Sequence, residues 1–222
     1  MVKSDKLFQK RKVRSIASLR RKQSKRARYD MVLIVCEGEK TEPNYLRALI
    51  DDLELNTANI KIAKNTAGSS PRNIVDLALQ EYRKDKEYDR VYCVFDKDRH
   101  TKYHEAIDVI KGAKMGKGHI ILATTSVPCF EFWILLHFIY TTKQFDTDHG
   151  SICANVISDL KSHLPGYEKG DTNTYHATKD RLQIAISRAK KAEHYCETGG
   201  SDMPSTKIYE LVEYLQNLKK QP

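Results

Sequence analysis

No C-x-x-C pair occurs in the 222-residue sequence, and its five cysteines (Cys36, Cys93, Cys129, Cys153 and Cys196) are odd in number. That argues against a disulfide scaffold or a zinc ribbon, and for a reducing, cytoplasmic setting. Cys36 and Cys93 fall inside apolar runs, so the cysteines read as small buried hydrophobes. No apolar stretch approaches the roughly 20 residues a membrane helix needs. The longest candidate, Val127 to Tyr140, is interrupted by Glu131 and His137. No apolar segment follows the basic N-terminus, so no secretory signal and no membrane association are expected. Three catalytic signatures are also missing. Gly38-Glu39-Lys40-Thr41 is similar to the end of a phosphate-binding loop, but the full G-x-x-x-x-G-K-[ST] is absent, no G-x-G-x-x-G opens a helix after a strand, and no G-x-S-x-G elbow occurs.

Acidic residues are scarce at one end. Residues 1–30 carry twelve lysines and arginines against Asp5 and Asp30, a local charge of +10. The whole chain is +9, so the remainder is near neutral at −1. A basic arm is drawn to phosphate backbones by charge and by counterion release. Arg11, Arg14, Arg20, Arg21, Lys25 and Arg28 are its candidate nucleic-acid contacts. Phe8 and Tyr29 are its only aromatic residues, so base stacking is not its main mode.

From Met31 onward, short apolar runs alternate with helical patterns. Met31 to Cys36 (MVLIVC), Asn59 to Lys64, Arg90 to Phe95 and His119 to Thr124 read as strands. Between them, helices are expected over Pro43 to Leu53 with Thr41 as cap, Pro71 to Arg83 after Ser69 or Ser70, and Tyr103 to Lys111. The alternation implies an α/β fold with a mainly parallel, Rossmann-like sheet and flanking helices over 31–140. After a polar stretch, Ser151 to His163, Tyr175 to Tyr195 and Ser205 to Lys219 read as helices. Residues 141–222 are thus expected to form a helical extension packed on the core, beside the arm at 1–30.

In such sheets chemistry sits at the carboxyl ends of strands. Asp96 and Asp98 follow the third predicted strand, and in extended backbone residues two apart face the same way. Two carboxylates so placed can share a hard cation that keeps waters and takes phosphate oxygens, as Mg²⁺ or Mn²⁺ does. Glu37 follows the first strand and serves as a further ligand or as an acid/base. Gly38 lets backbone approach a phosphate, and Lys40 is either a phosphate contact or an exposed loop lysine. Glu131, in an otherwise apolar surround, is either a fourth catalytic carboxylate or a buried acid satisfied at a helix N-terminus. His137 reads as a core histidine.

These residues carry a resemblance. Leu33 to Tyr45 (LIVCEGEKTEPNY), Phe95-Asp96-Lys97-Asp98, and Ser126-x-Pro128-x-Phe130-Glu131-x-Trp133 with His137 resemble RloB-like proteins. The basic arm and Pro204-Ser205-Thr206 are similar too. The resemblance implies a Toprim-like fold, the group that holds bacterial primases, topoisomerases and overcoming-lysogenization-defect nucleases. It implies that Glu37 is the acid/base or metal glutamate and that Asp96 and Asp98 are Mg²⁺ ligands. It also implies abortive-infection phage defence, beside an ATPase partner. The chain is short for a topoisomerase or primase, which leaves a Mg²⁺-dependent nuclease acting on RNA or DNA. The rival expectation is a catalytically silent nucleic-acid- or protein-binding subunit of a defence complex.

Overall fold

In a computed structural model of the chain, residues 30–66, 68, 70–98, 100–145 and 151–219 are described. The arm residues Arg11, Arg14, Arg20, Arg21, Lys25 and Arg28 lie outside them. The described residues from Met31 onward cluster as one compact unit.

The run Val32–Cys36 forms β1, every residue of it buried. A strand apolar at every position is shielded on both faces, and β1 is indeed central. The sheet runs β2-β1-β3-β4-β5, with β2 Ile60–Ala63, β3 Arg90–Asp96, β4 Ile120–Val127 and β5 Ser205–Thr206. The first four strands are parallel, with Ile34 beside Ile62 on one side and Tyr92 on the other. β5 joins β4 antiparallel. The sheet is therefore mostly parallel and α/β, as the alternation predicts.

Successive strand residues point to opposite faces, and two apolar clusters result. Leu33, Val35, Val91, Cys93 and Phe95 meet Ile74, Val75 and Ala78 of α2 (Pro71–Lys84) and Ala106 of α3 (Tyr103–Gly112). Val32, Ile34, Cys36, Tyr92 and Val94 meet Tyr45, Leu46 and Leu49 of α1 (Thr41–Asp52) on the other face. This second cluster continues into α4 (Glu131–Leu136), α5 (Ile152–Lys161), α6 (Thr174–Thr178), α7 (Leu182–Gly199) and α8 (Ile208–Lys219). In α7, Ala185, Ala189 and Ala192 recur at helical spacing and place one small-residue face in that cluster. Each large aliphatic side chain so buried is worth roughly 1.5–3 kcal/mol.

The helix boundaries differ from the sequence reading in three places. Lys40, not Thr41, caps α1, because the Lys40 carbonyl accepts the Asn44 N–H at 2.8 Å. The stretch Tyr175 to Tyr195 is not one helix. The Thr178 hydroxyl bonds back to the Thr174 carbonyl at 2.8 Å, and a 3-10 turn over Lys179–Arg181 precedes α7. Ser205 and Thr206 are strand rather than helix, held by the backbone ladder to β4 and by a Ser126–Thr206 hydroxyl contact of 3.0 Å.

Candidate metal centre

β1 lies between β2 and β3, so the chain leaves β1 toward one side of the sheet and returns for β3 on the other. Between the carboxyl ends of such a pair no crossover covers the crevice, and ligands of open parallel sheets bind there. Glu37 stands immediately after β1, and Asp96 is the last residue of β3. The Glu37 N–H donates to the Val94 carbonyl at 2.8 Å, which extends the ladder to the carboxylate itself. Glu37 is 9% exposed. Its Oε2 accepts the Asp96 backbone N–H at 2.9 Å, and its Oε1 lies 3.0 Å from His100 Nε2. Burial pushes the Glu37 carboxyl above its ordinary range, while the Asp96 N–H and His100 pull it down.

Asp96 is pushed up further. Loss of water is the largest cause, followed by the carboxylates of Glu42, Glu131 and Glu37, while a Phe130 backbone hydrogen bond pulls it down. The extended geometry expected to align Asp96 with Asp98 ends at Asp96. The Lys97 N–H reaches the Ser126 carbonyl at 2.9 Å and the Asp98 N–H the Pro128 carbonyl at 3.0 Å. These bonds turn the backbone so that Asp98 adopts φ +31°, a region that aspartate tolerates better than most residues. A turn, not strand pleating, brings both carboxylates to one cleft. Lys97 points elsewhere, into an ion pair with Asp202.

The cleft has a volume of about 390 Å³ and is lined by Glu37, Asp96, Asp98, Glu131, Lys40 and others. All five of these sequence candidates therefore meet in one place. Three carboxylates (Glu37, Asp96, Asp98) offer hard oxygen donors, and two of them titrate high, chiefly because burial strips them of water and secondarily because of neighbouring carboxylates. That chemistry fits a divalent cation of the Mg²⁺ or Mn²⁺ type. Glu131 opens α4 and is 2% exposed. The Tyr167 hydroxyl donates to its Oε1 at 3.1 Å, Lys169 Nζ sits 3.3 Å from the same oxygen, and Cys153 Sγ lies 3.1 Å from Oε2. It is a satisfied acid in the cleft wall. Lys40 is exposed on the rim and packs under Gly170, where a Cβ would come within 3.0 Å of Lys40 Cβ at φ +84°.

Four cleft groups went unnoticed in the sequence: Glu42, His100, Lys169 and the pair Cys129–Cys153. Glu42 is buried, and burial together with Glu131 and Glu37 lifts its carboxyl from 4.5 to about 7. The Gly38 N–H donates to Glu42 Oε1 at 3.3 Å, and a Cβ at position 38 would overlap that carboxylate. Gly38 is thus required by an acid four residues on, beyond any role in phosphate approach. The repeated E-x-x-x-x-E of Glu37 and Glu42 was the available signal. His137 is a core residue, as expected. Its Nδ1 faces the Trp133 carbonyl at 3.0 Å and its Nε2 the Tyr45 hydroxyl at 3.2 Å, and burial lowers its pKa to about 4. Two of the five cysteines depart from the expectation of free buried thiols. Cys129 and Cys153 are paired as a disulfide, Cα atoms 5.9 Å apart, because α5 brings its first turn against the β4–α4 connection. A separation of 24 residues carries no sequence signal for that.

No helix among the described residues is long and apolar enough to cross a membrane. A family model described as RloB-like protein matches residues 32–215. No curated protein and no solved structure matches the chain.

Proposed function

The chain belongs to the RloB-like family, and from that premise we propose that it is a Mg²⁺- or Mn²⁺-dependent nuclease that hydrolyses phosphodiester bonds of RNA or DNA in phage defence. One observation carries the reading. Glu37 from the end of β1 and Asp96 and Asp98 from the end of β3 line a single cleft where the strand order reverses. The Toprim-type site that the RloB-like resemblance implies, a glutamate after one strand and a D-x-D after a later one, supports it.

When bound, the cation supplies a Lewis acid to a phosphate oxygen and a more acidic water. Asp96 and Asp98 are the residues that hold it, with Glu37 sharing the site. Glu37 and His100, 3.0 Å apart, form a pair able to accept and pass on a proton. Glu131 steadies the opposite wall through Tyr167 and Lys169. Lys40 on the rim draws the phosphate inward, and Arg11, Arg14, Arg20, Arg21, Lys25 and Arg28 track the rest of the backbone by charge. An ATPase partner belongs to the same proposal.

The test is cleavage of mixed RNA and DNA substrates with Mg²⁺ or Mn²⁺, comparing the wild type with Asp96→Ala/Asp98→Ala. Cation-dependent cutting lost in the double variant is expected. Absence of cutting together with absence of a Mn²⁺-dependent thermal shift would refute the reading and leave the silent binding subunit.

A further inference from the structure

The cleft holds two sulfur atoms that the proposed hydrolysis does not use. All five cysteines are buried, but Cys129 and Cys153 line the cleft, whereas the free thiols Cys36, Cys93 and Cys196 do not. Cys129 lies in the connection from β4 to α4, and Cys153 in the first turn of α5. Their Cα separation of 5.9 Å lies in the range that a disulfide bridges without backbone movement. Around Cys153 Sγ stand Lys169 Nζ at 3.5 Å and Glu131 Oε2 at 3.1 Å. Cys153 is 5% exposed in the cleft wall, where the Lys169 ammonium favours the reactive thiolate against the nearer Glu131 carboxylate, whereas a cysteine in an apolar interior is inert.

We infer that Cys129 and Cys153 form a redox-active pair, a site of reversible modification by hydrogen peroxide within the cleft. The Cys153 thiolate attacks one peroxide oxygen. An S–O bond forms, the O–O bond breaks, and hydroxide leaves. The Cys129 thiol then attacks the Cys153 sulfur. The S–S bond forms, the S–O bond breaks, and the displaced hydroxide takes the thiol proton as water. In sum two thiols and one peroxide give one disulfide and two waters. The thiols lose two electrons, which the peroxide gains. A small dithiol reverses the change by exchange.

The two states differ at Glu131. In the dithiol, the Cys153 S–H donates to Glu131 Oε2. In the disulfide that proton is gone, and Glu131 keeps the Tyr167 hydroxyl and Lys169. Oxidation also ties the start of α5 covalently to the start of α4 across the cleft wall. The site is therefore coupled to the acidic centre through one carboxylate.

The experiment uses the full chain, reduced, freed of reductant, treated with hydrogen peroxide for graded times, alkylated and mapped by mass spectrometry. The expected product is a Cys129–Cys153 cross-linked peptide, formed about tenfold faster than oxidation at Cys36, Cys93 or Cys196 and lost again on adding a dithiol to the folded protein. In Cys129→Ser, a sulfenic acid should be trapped at Cys153, and Lys169→Met should slow its formation. Three results would overturn the inference: both cysteines staying alkylatable thiols, a cross-link that a dithiol cannot open without unfolding, or a stoichiometric metal ion bound to the two sulfurs. None of these readouts requires cleavage of nucleic acid.

Discussion

Replacing Glu42 with glutamine isolates the electrostatic cost of assembling the acidic centre. Glu42 is buried beside Glu131 and Glu37, and its carboxyl rises from 4.5 to about 7. A carboxyl whose pKa is higher in the folded state than in the unfolded chain favours folding while protonated. That contribution is complete below pH 4.5 and is lost as pH rises to 7. At about 1.4 kcal/mol per pH unit, the interval corresponds to about 3 kcal/mol that the ionised form costs above neutrality. Glutamine keeps the side-chain oxygen that accepts the Gly38 N–H and cannot ionise. Without divalent cations, Glu42→Gln should therefore stabilise the protein by about 3 kcal/mol at pH 8, or roughly 6–12 °C in Tm, and by almost nothing at pH 4.5. Urea unfolding at both pH values, with chelator present, measures this. Saturating Mn²⁺ should shrink the difference at pH 8, because a bound cation stabilises the ionised carboxylates of the cleft. Equal effects of the substitution at both pH values would refute the argument, since a loss of packing does not depend on pH.

Three further outcomes follow from the geometry. His137, neutral in the fold with its pKa lowered from 6.5 to about 4, gives stability that is present above pH 6.5 and is lost as pH falls toward 4. The loss amounts to about 3 kcal/mol, and an acid unfolding series should show a loss in that window that His137→Gln lacks. Gly38→Ala should cost roughly 1–3 kcal/mol by displacing the Glu42 carboxylate. In a Glu42→Ala background the same change should cost much less, which a double-mutant cycle reads directly. Opening the disulfide between Cys129 and Cys153, 24 residues apart, should lower stability by about 3 kcal/mol, measured as the difference in unfolding midpoint between the oxidised and reduced full chain.

Much of the fold is legible in the sequence because of hydrophobic patterning. MVLIVC and RVYCVF are apolar at nearly every position, as a strand covered on both faces requires, and they form β1 and β3. The Glu37 and D-x-D positions follow from those strands, since the carboxyl end of a parallel strand is where a chain can expose a polar group next to the sheet. Local chemistry likewise announces Pro71 at the start of α2. The strand order is not legible. Any of several permutations satisfies the same pattern, and only packing places β1 next to β3 and so sets Glu37 beside Asp96.

What the tertiary structure alone decides concerns groups brought together from distant parts of the chain. Lys169 and Tyr167 reach Glu131 across more than 35 residues, and Cys153 reaches Cys129 across 24. By sequence Glu42 is an ordinary first-turn helix acid, favourable at a helix N-terminus. Its pKa is raised first because the fold buries it away from water and then because Glu131 and Glu37 converge on it. Residue type and local spacing determine which groups can ionise and which segments bury. The field at each group depends on distances through space, and those are set by how the helices pack on the sheet.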